Sequence, residues 1–380
     1  MRCRVLVSAL ISASVLSGCA SWFTSSTRVE PTPLQAVRVE QPLKLKWSDS
    51  VGDVAHGGFL PVYQNGNVVV AEARGHIEVF DALSGRKVSE LALKRELSAG
   101  PGVTDTLVLV TTTDGRLLAV DRSSGAVRWE QTLTSLALEA PQAGSEVVTV
   151  RTNDGRVTGF ALADGKQLWS VSRVLPQLTV ENNGSLQRAG DEAILAGQAG
   201  GRLVVLSPKN GNVLWEASVA SPRGATELER VTDVVSRPVF DAGQVCAVAF
   251  QGRVACFEAR GGNLLWARDV SSSHGLAVDA RNVYVTGDDG SLWAFDRSTG
   301  RNIWKLDDLK YRNVSGPAML GRYVLVTDGE GYAHLVAADS GRIVGRTKVG
   351  TERLTGQPVS LGDTALVLGR NGRLAMLSLE

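Results

Sequence analysis

A glycine in a turn setting recurs at Gly75, Gly115, Gly155, Gly201, Gly252, Gly290, Gly331 and Gly372, and this periodicity constrains the fold more than any other feature of the chain. Ten residues after each of the first seven stands a second glycine: Gly85, Gly125, Gly165, Gly211, Gly262, Gly300 and Gly341. Four residues further on comes Trp129, Trp169, Trp215, Trp266 or Trp304, while the first and seventh units carry Ser89 and Gly345 there. A chain of 380 residues is long for one hydrophobic core, and a repeat array resolves that difficulty because each unit buries its apolar face on its neighbours.

One unit reads clearly as Leu107-Val108-Leu109-Val110, the turn Asp114-Gly115, then Arg116-Leu117-Leu118-Ala119-Val120 and a second turn from Asp121 to Gly125. Asp-Gly between two β-rich runs is a strong hairpin signal, because glycine accepts the positive φ of a tight two-residue turn. In the second turn the aspartate side chain is placed to accept from local amides, and Gly125 to take the left-handed position. A third strand carries the tryptophan. Short runs ahead of each unit, such as Arg237-Pro238-Val239-Phe240, supply a fourth strand. Four antiparallel strands per repeat describe a propeller blade, so the expected fold is an all-β, eight-bladed β-propeller.

The eighth unit ends at Glu380 before any second glycine or outer strand. Leu43-Lys44-Leu45-Lys46-Trp47, an alternating run that ends in an otherwise unassigned tryptophan, has the character of that missing strand. Its pairing with the last blade closes the ring. The periodic tryptophans are expected to pack between blades with each indole N–H on a neighbouring backbone.

At the other end, Arg2 and Arg4 precede an apolar run from Val5 to Val15 that is too short for a mature membrane span. It closes on Leu16-Ser17-Gly18-Cys19, which resembles a bacterial lipobox. The resemblance implies cleavage before Cys19, lipidation of Cys19, and, with Ala20-Ser21 following, anchorage to the outer membrane with the protein facing the periplasm. The expected organisation is a signal peptide at 1–18, a lipidated flexible tether at 19–41 rich in Ser, Thr and Pro, and the propeller at 42–380. Lys and Arg number 40 against 39 Asp and Glu, so the near-neutral chain lacks the basic excess of a nucleic-acid binder.

Catalytic chemistry on a propeller needs a cluster that breaks the repeat. His56, His76, His274 and His334 are scattered without metal-ligand spacing, and Asp81, Asp121 and Asp296 recur at equivalent turn positions. No catalytic residue, metal site or cofactor is expected. The Gly, Asp, Gly, Trp signature resembles the repeat of pyrroloquinoline quinone enzymes, which makes a periplasmic quinoprotein oxidoreductase the alternative reading. Those enzymes use an adjacent cysteine pair, whereas here Cys246 and Cys256 flank Gln251-Gly252. A two-residue turn there sets the thiols on opposite faces and an odd-length turn sets them opposite each other. Two buried free thiols are the expectation.

Two intervals between first glycines, 46 and 51 residues, exceed the others. The additions follow the Trp169 strand, from Arg173 to Asn183, and the Trp215 strand, from Ser221 to Ser236. Both lead from an outer strand to the next blade, so they emerge side by side on one face. Leu175, Leu178 and Val180 are apolar with no evident core, and such a group among charges suits a protein contact.

The whole pattern of lipobox, short tether, closing strand, eight blades and two long loops is similar to the BamB family of outer-membrane assembly lipoproteins. That resemblance implies a non-catalytic scaffold in the BAM complex whose two loops dock on the periplasmic repeats of BamA, with unfolded outer-membrane proteins as clients. It places Leu175, Leu178, Val180, Glu181, Glu229 and Asp233 at the partner contact. The family's first loop carries Leu-x-Leu-Arg where this chain has Leu178-Thr179-Val180-Glu181, so an arginine-mediated ion pair transfers only if Arg173 or Arg188 replaces it or the partner has changed charge.

Overall fold

A computed structural model describes residues 29–54, 58–180, 185–350, 354 and 356–380. The signal at 1–18, Cys19, His56 and Glu181 lie outside the described residues. Thr32–Glu380 form one compact unit, and of the preceding unit only Val29–Pro31 are described, without strand.

The described chain folds into eight antiparallel sheets of four strands each, the eight blades of the propeller. Seven of them are consecutive in sequence. The eighth comprises Val359–Ser360, Thr364–Leu368 and Arg373–Leu379, and its outer strand is Leu43–Ser50, paired Leu43 to Leu379 through Ser50 to Arg373. The middle strands of every blade, such as Val108 to Val110 and Leu117 to Val120 in blade two, are fully buried between neighbouring blades, whereas outer strands are half exposed. The hydrophobic core is therefore a series of inter-blade layers, and one cluster joins Leu366, Leu374 and Met376 of blade eight to blades one and two across the closure.

Six tryptophans stitch the seams. The indole N–H groups of Trp47, Trp129, Trp169, Trp215, Trp266 and Trp304 donate to the carbonyl oxygens of Ala82, Leu162, Pro208, Ala259, Arg297 and Ala338 respectively, each in the next blade, at 2.7–2.9 Å. The second glycine of that next blade lies beneath each ring. At Gly165 a Cβ would stand 2.5 Å from Trp129 Cε3, so glycine is required there by contact as well as by its φ of +74°. Seam one to two uses Leu91 over Gly125 instead, and the outer strand of blade seven is flanked by Gln41 at Gly345.

A bulge recurs in the outer hairpin of blades one to seven, between Gly159 and Phe160 in blade three and at the matching place in the others. It leaves Leu168, Leu214 and Leu265 unpaired and exposed while turning the following tryptophan onto the next blade. Apolar-Trp pairs that break strict alternation are explained by this extra residue.

The inner hairpins correct one expectation. They turn through three residues: Glu72 N–H donates to His76 O and Gly75 N–H to Glu72 O, with Gly75 at φ +98°. This is the longer hairpin with glycine in the left-handed position, not a two-residue turn. In blade five Ala249 N–H reaches Arg253 O, Gln251 takes φ +46°, and the odd turn length brings Cys246 opposite Cys256. The two are joined by a disulfide, so the expectation of free thiols is overturned by the parity of the turn.

The chain ahead of the first strand also departs from expectation. Thr32 N–H donates to Lys310 O, and Glu40 and Gln41 N–H both reach Val344 O, so Thr32 to Gln41 lies as a strap along the outer edge of blade seven.

Candidate functional site

The long loops, described at 172–180 and 219–238, leave the outer strands of blades three and four on the face that carries the inner hairpin turns. They meet at one carboxylate. Asp233, 2% exposed, accepts from Val180 N–H at 2.7 Å and from Gly200 N–H at 2.9 Å, fastening the first loop, the blade-four turn and the second loop together. A buried carboxylate holding two amides is a rigid joint. Asp233 is thus placed inside the loop junction, where its role is to shape the surface.

The other predicted residues separate by position. Leu175 is half-buried over Gly155, with its Cδ2 2.9 Å from where a Cβ of Gly155 would stand. Leu178 is 48% exposed, and Val180 is half-buried. Glu229 is exposed but turned inward on its own loop: its Oε2 accepts from Ala225 and Thr226 N–H, while Thr226 Oγ1 accepts from Glu229 N–H. These reciprocal bonds form a capping box and hold the Glu229 carboxyl below its usual range. Two exposed residues were not singled out in the sequence, Val174 at 99% and Leu228 at 70%. Their signal was present: each is an apolar residue inside an added segment with no strand to alternate in.

Neither substitute arginine is free. Arg173 binds Glu216 through both Nη atoms, and Arg188 engages Asp191 and Val147 O. Between the loops lies a cavity of about 280 Å³ lined by Leu175, Thr179, Val180, Asp233, Glu139 and Arg151. Glu139, 4% exposed, accepts from Leu186 N–H at 2.7 Å and lies 3.6 Å from Arg151 Nε. Burial raises its carboxyl, and the Arg151 charge opposes that rise. Among the described residues no group of three or more His, Cys, Asp or Glu side chains could hold a metal. His334 is a fully buried member of a hydrogen-bonded network and His76 pairs with Glu90.

Comparison with known proteins places this architecture. A solved structure of BamB from Moraxella catarrhalis superposes with a TM-score of 0.81 at 23% identity, covering 88% of this chain and 99% of that one. A quinohemoprotein alcohol dehydrogenase from Pseudomonas putida gives 0.69 at 12% identity, over 91% and 78%, a likeness of fold alone. In sequence, the outer membrane protein assembly factor BamB of Bordetella pertussis is 35% identical over 95% of this chain and 94% of its own length. The family described as outer membrane protein assembly factor BamB matches residues 73–306. By full-length similarity to its relatives and by the repeat that the family describes, this chain belongs to the BamB family of outer-membrane protein assembly factors.

Proposed function

We propose that the chain is a scaffold subunit of the outer-membrane β-barrel assembly machinery, tethered through lipid on Cys19 and binding the periplasmic repeats of BamA with its two long loops. The observation that carries this reading is the junction at Asp233. It fixes two loops of adjacent blades as one surface on which Val174, Leu178 and Leu228 stand exposed. Apolar side chains held rigidly among polar neighbours lose little entropy on binding, which suits a docking surface. Because Arg173 and Arg188 are engaged within the chain, the contact is apolar in character, with shape set by the loops.

The test is recovery of BamA with the lipidated protein from detergent-solubilised membranes. Leu178→Asp combined with Val174→Asp is expected to cut recovery by at least tenfold, the equivalent of about 1.4 kcal/mol. Undiminished recovery with a folded double variant would remove the contact from these loops. Quinone absorbance in the purified protein would favour the oxidoreductase reading instead.

A further inference from the structure

We propose that His334 is the proton-sensitive part of a latch holding the N-terminal strap, Thr32 to Gln41, against blade seven, and that acid releases the strap. The strap is mostly exposed and is held largely by polar contacts. Arg312 Nη1 donates to Thr32 O at 2.9 Å and Arg346 Nη1 to Gln35 O at 2.8 Å, while Arg342 grips Glu40 with both Nη atoms. The strap's apolar hold is small: Leu34 packs on the neighbouring core cluster and Val37 is half-buried. A segment so held has little stability beyond those bonds.

Both inner arginines are aimed by one buried network. Arg312 Nε donates to Asp328 Oδ2 at 2.9 Å, His334 Nε2 lies 3.0 Å from the same oxygen, and Arg346 Nε donates to His334 Nδ1 at 3.1 Å. Arg346 has no acceptor to offer, so Nδ1 must carry a lone pair and Nε2 the proton. The geometry therefore admits only neutral His334. A second proton on Nδ1 would set N–H against N–H and add a cation beside Arg346 and Arg312. Arg346 must then swing away, and Gln35 O loses its donor.

The groups facing His334 are Asp328 from the inner turn, Arg312 from the preceding connection, Arg346 from the outer strand and Tyr332 from its own strand. Behind them, Glu330 binds Arg312, Lys348 lies over Tyr332, and Asp308 acts on Arg346. Burial lowers the His334 pKa, and Asp328 opposes that shift. Because Nδ1 serves as an acceptor only while Arg346 is aimed at the strap, a proton at Nδ1 opposes docking, so docking is favoured at neutral pH and weakens as pH falls below the ordinary imidazole range. Release would add ten residues to the linker ahead of the ring, roughly 35 Å of reach when extended.

Hydrogen exchange of the full chain, corrected for intrinsic rates, at about pH 7.5 and about pH 5 tests the latch. The bonded strap amides, Thr32, Glu40 and Gln41, are expected to lose protection by about tenfold or more in acid, while amides of the strand Tyr323–Thr327 hold theirs. His334→Gln offers a donor to Asp328 and an acceptor to Arg346 without titrating, and should keep the strap protected at both pH values. Arg346→Gln should leave it unprotected at both. A wild-type strap insensitive to pH, an equal acid loss in His334→Gln, or a strap still protected in Arg346→Gln would each overturn the proposal.

Discussion

The indole N–H of Trp47 donates to the carbonyl oxygen of Ala82 at 2.9 Å, and through this bond the outer strand of the last blade grips the first. The ring is closed twice over at this point: once by the pairing of Leu43–Ser50 with the C-terminal strand, and once by an indole laid over Gly85 and stacked near Phe80. A propeller seam is otherwise a contact between blades already linked by the chain. At the closing blade, strand pairing and the seam join residues from the two ends of the sequence.

Trp47→Ala should therefore destabilise the protein by about 3 kcal/mol, the lower end for a tryptophan because its ring is only partly buried. Urea denaturation gives the value. A loss under 1 kcal/mol would mean that backbone pairing alone closes the ring.

Glycines of the same φ separate backbone cost from packing cost. Gly66, at φ +79°, has nothing within 4 Å of where a Cβ would stand, and Gly66→Ala should cost about 1 kcal/mol for the left-handed backbone alone. Gly165→Ala, at φ +74° beneath Trp129, should cost about 3 kcal/mol because the indole must move as well. Equal losses by calorimetry would deny the seam its steric role.

The loop surface separates into joint and contact. Asp233→Ala leaves two half-buried amides unpaired, so about 1 kcal/mol of stability and the exchange protection of Val180 and Gly200 should be lost. Leu178→Asp at an exposed position should leave stability within about 0.5 kcal/mol and, on the proposed function, weaken recovery of BamA. A stable Asp233→Ala with both amides still protected would contradict the joint.

For the cysteines, a denatured, non-reduced digest should contain Cys246 and Cys256 in a single linked product, with alkylation of both only after reduction. Free-thiol adducts on either residue before reduction would refute the pairing.

Much of this was legible in the residues. Asp121 accepts from Ser123 and Ser124 amides beside Gly125 at φ +73°, as its turn composition required. The two added segments were located by their interruption of the period, and their adjacency followed from their equivalent places in adjacent blades. What could not be read was the direction of individual side chains. Asp233 and Glu229 are both acids in the second loop, yet one is buried as a joint and the other is folded on its own turn. Sequence assigns both to a charged loop, because it cannot show which distant amides are left to satisfy.

The sequence by itself determined the number of blades, the closing strand and the face that carries the long loops, because these depend on period and on local turn chemistry. Tertiary structure decided the parity of the inner turns, and with it the Cys246–Cys256 bond, since one residue more or less reverses every side chain across a hairpin. It also decided that Thr32 to Gln41 is a strap. The segment reads as linker until Arg312 and Arg346, 280 and 311 residues away from Thr32 and Gln35, are brought beside their carbonyl groups.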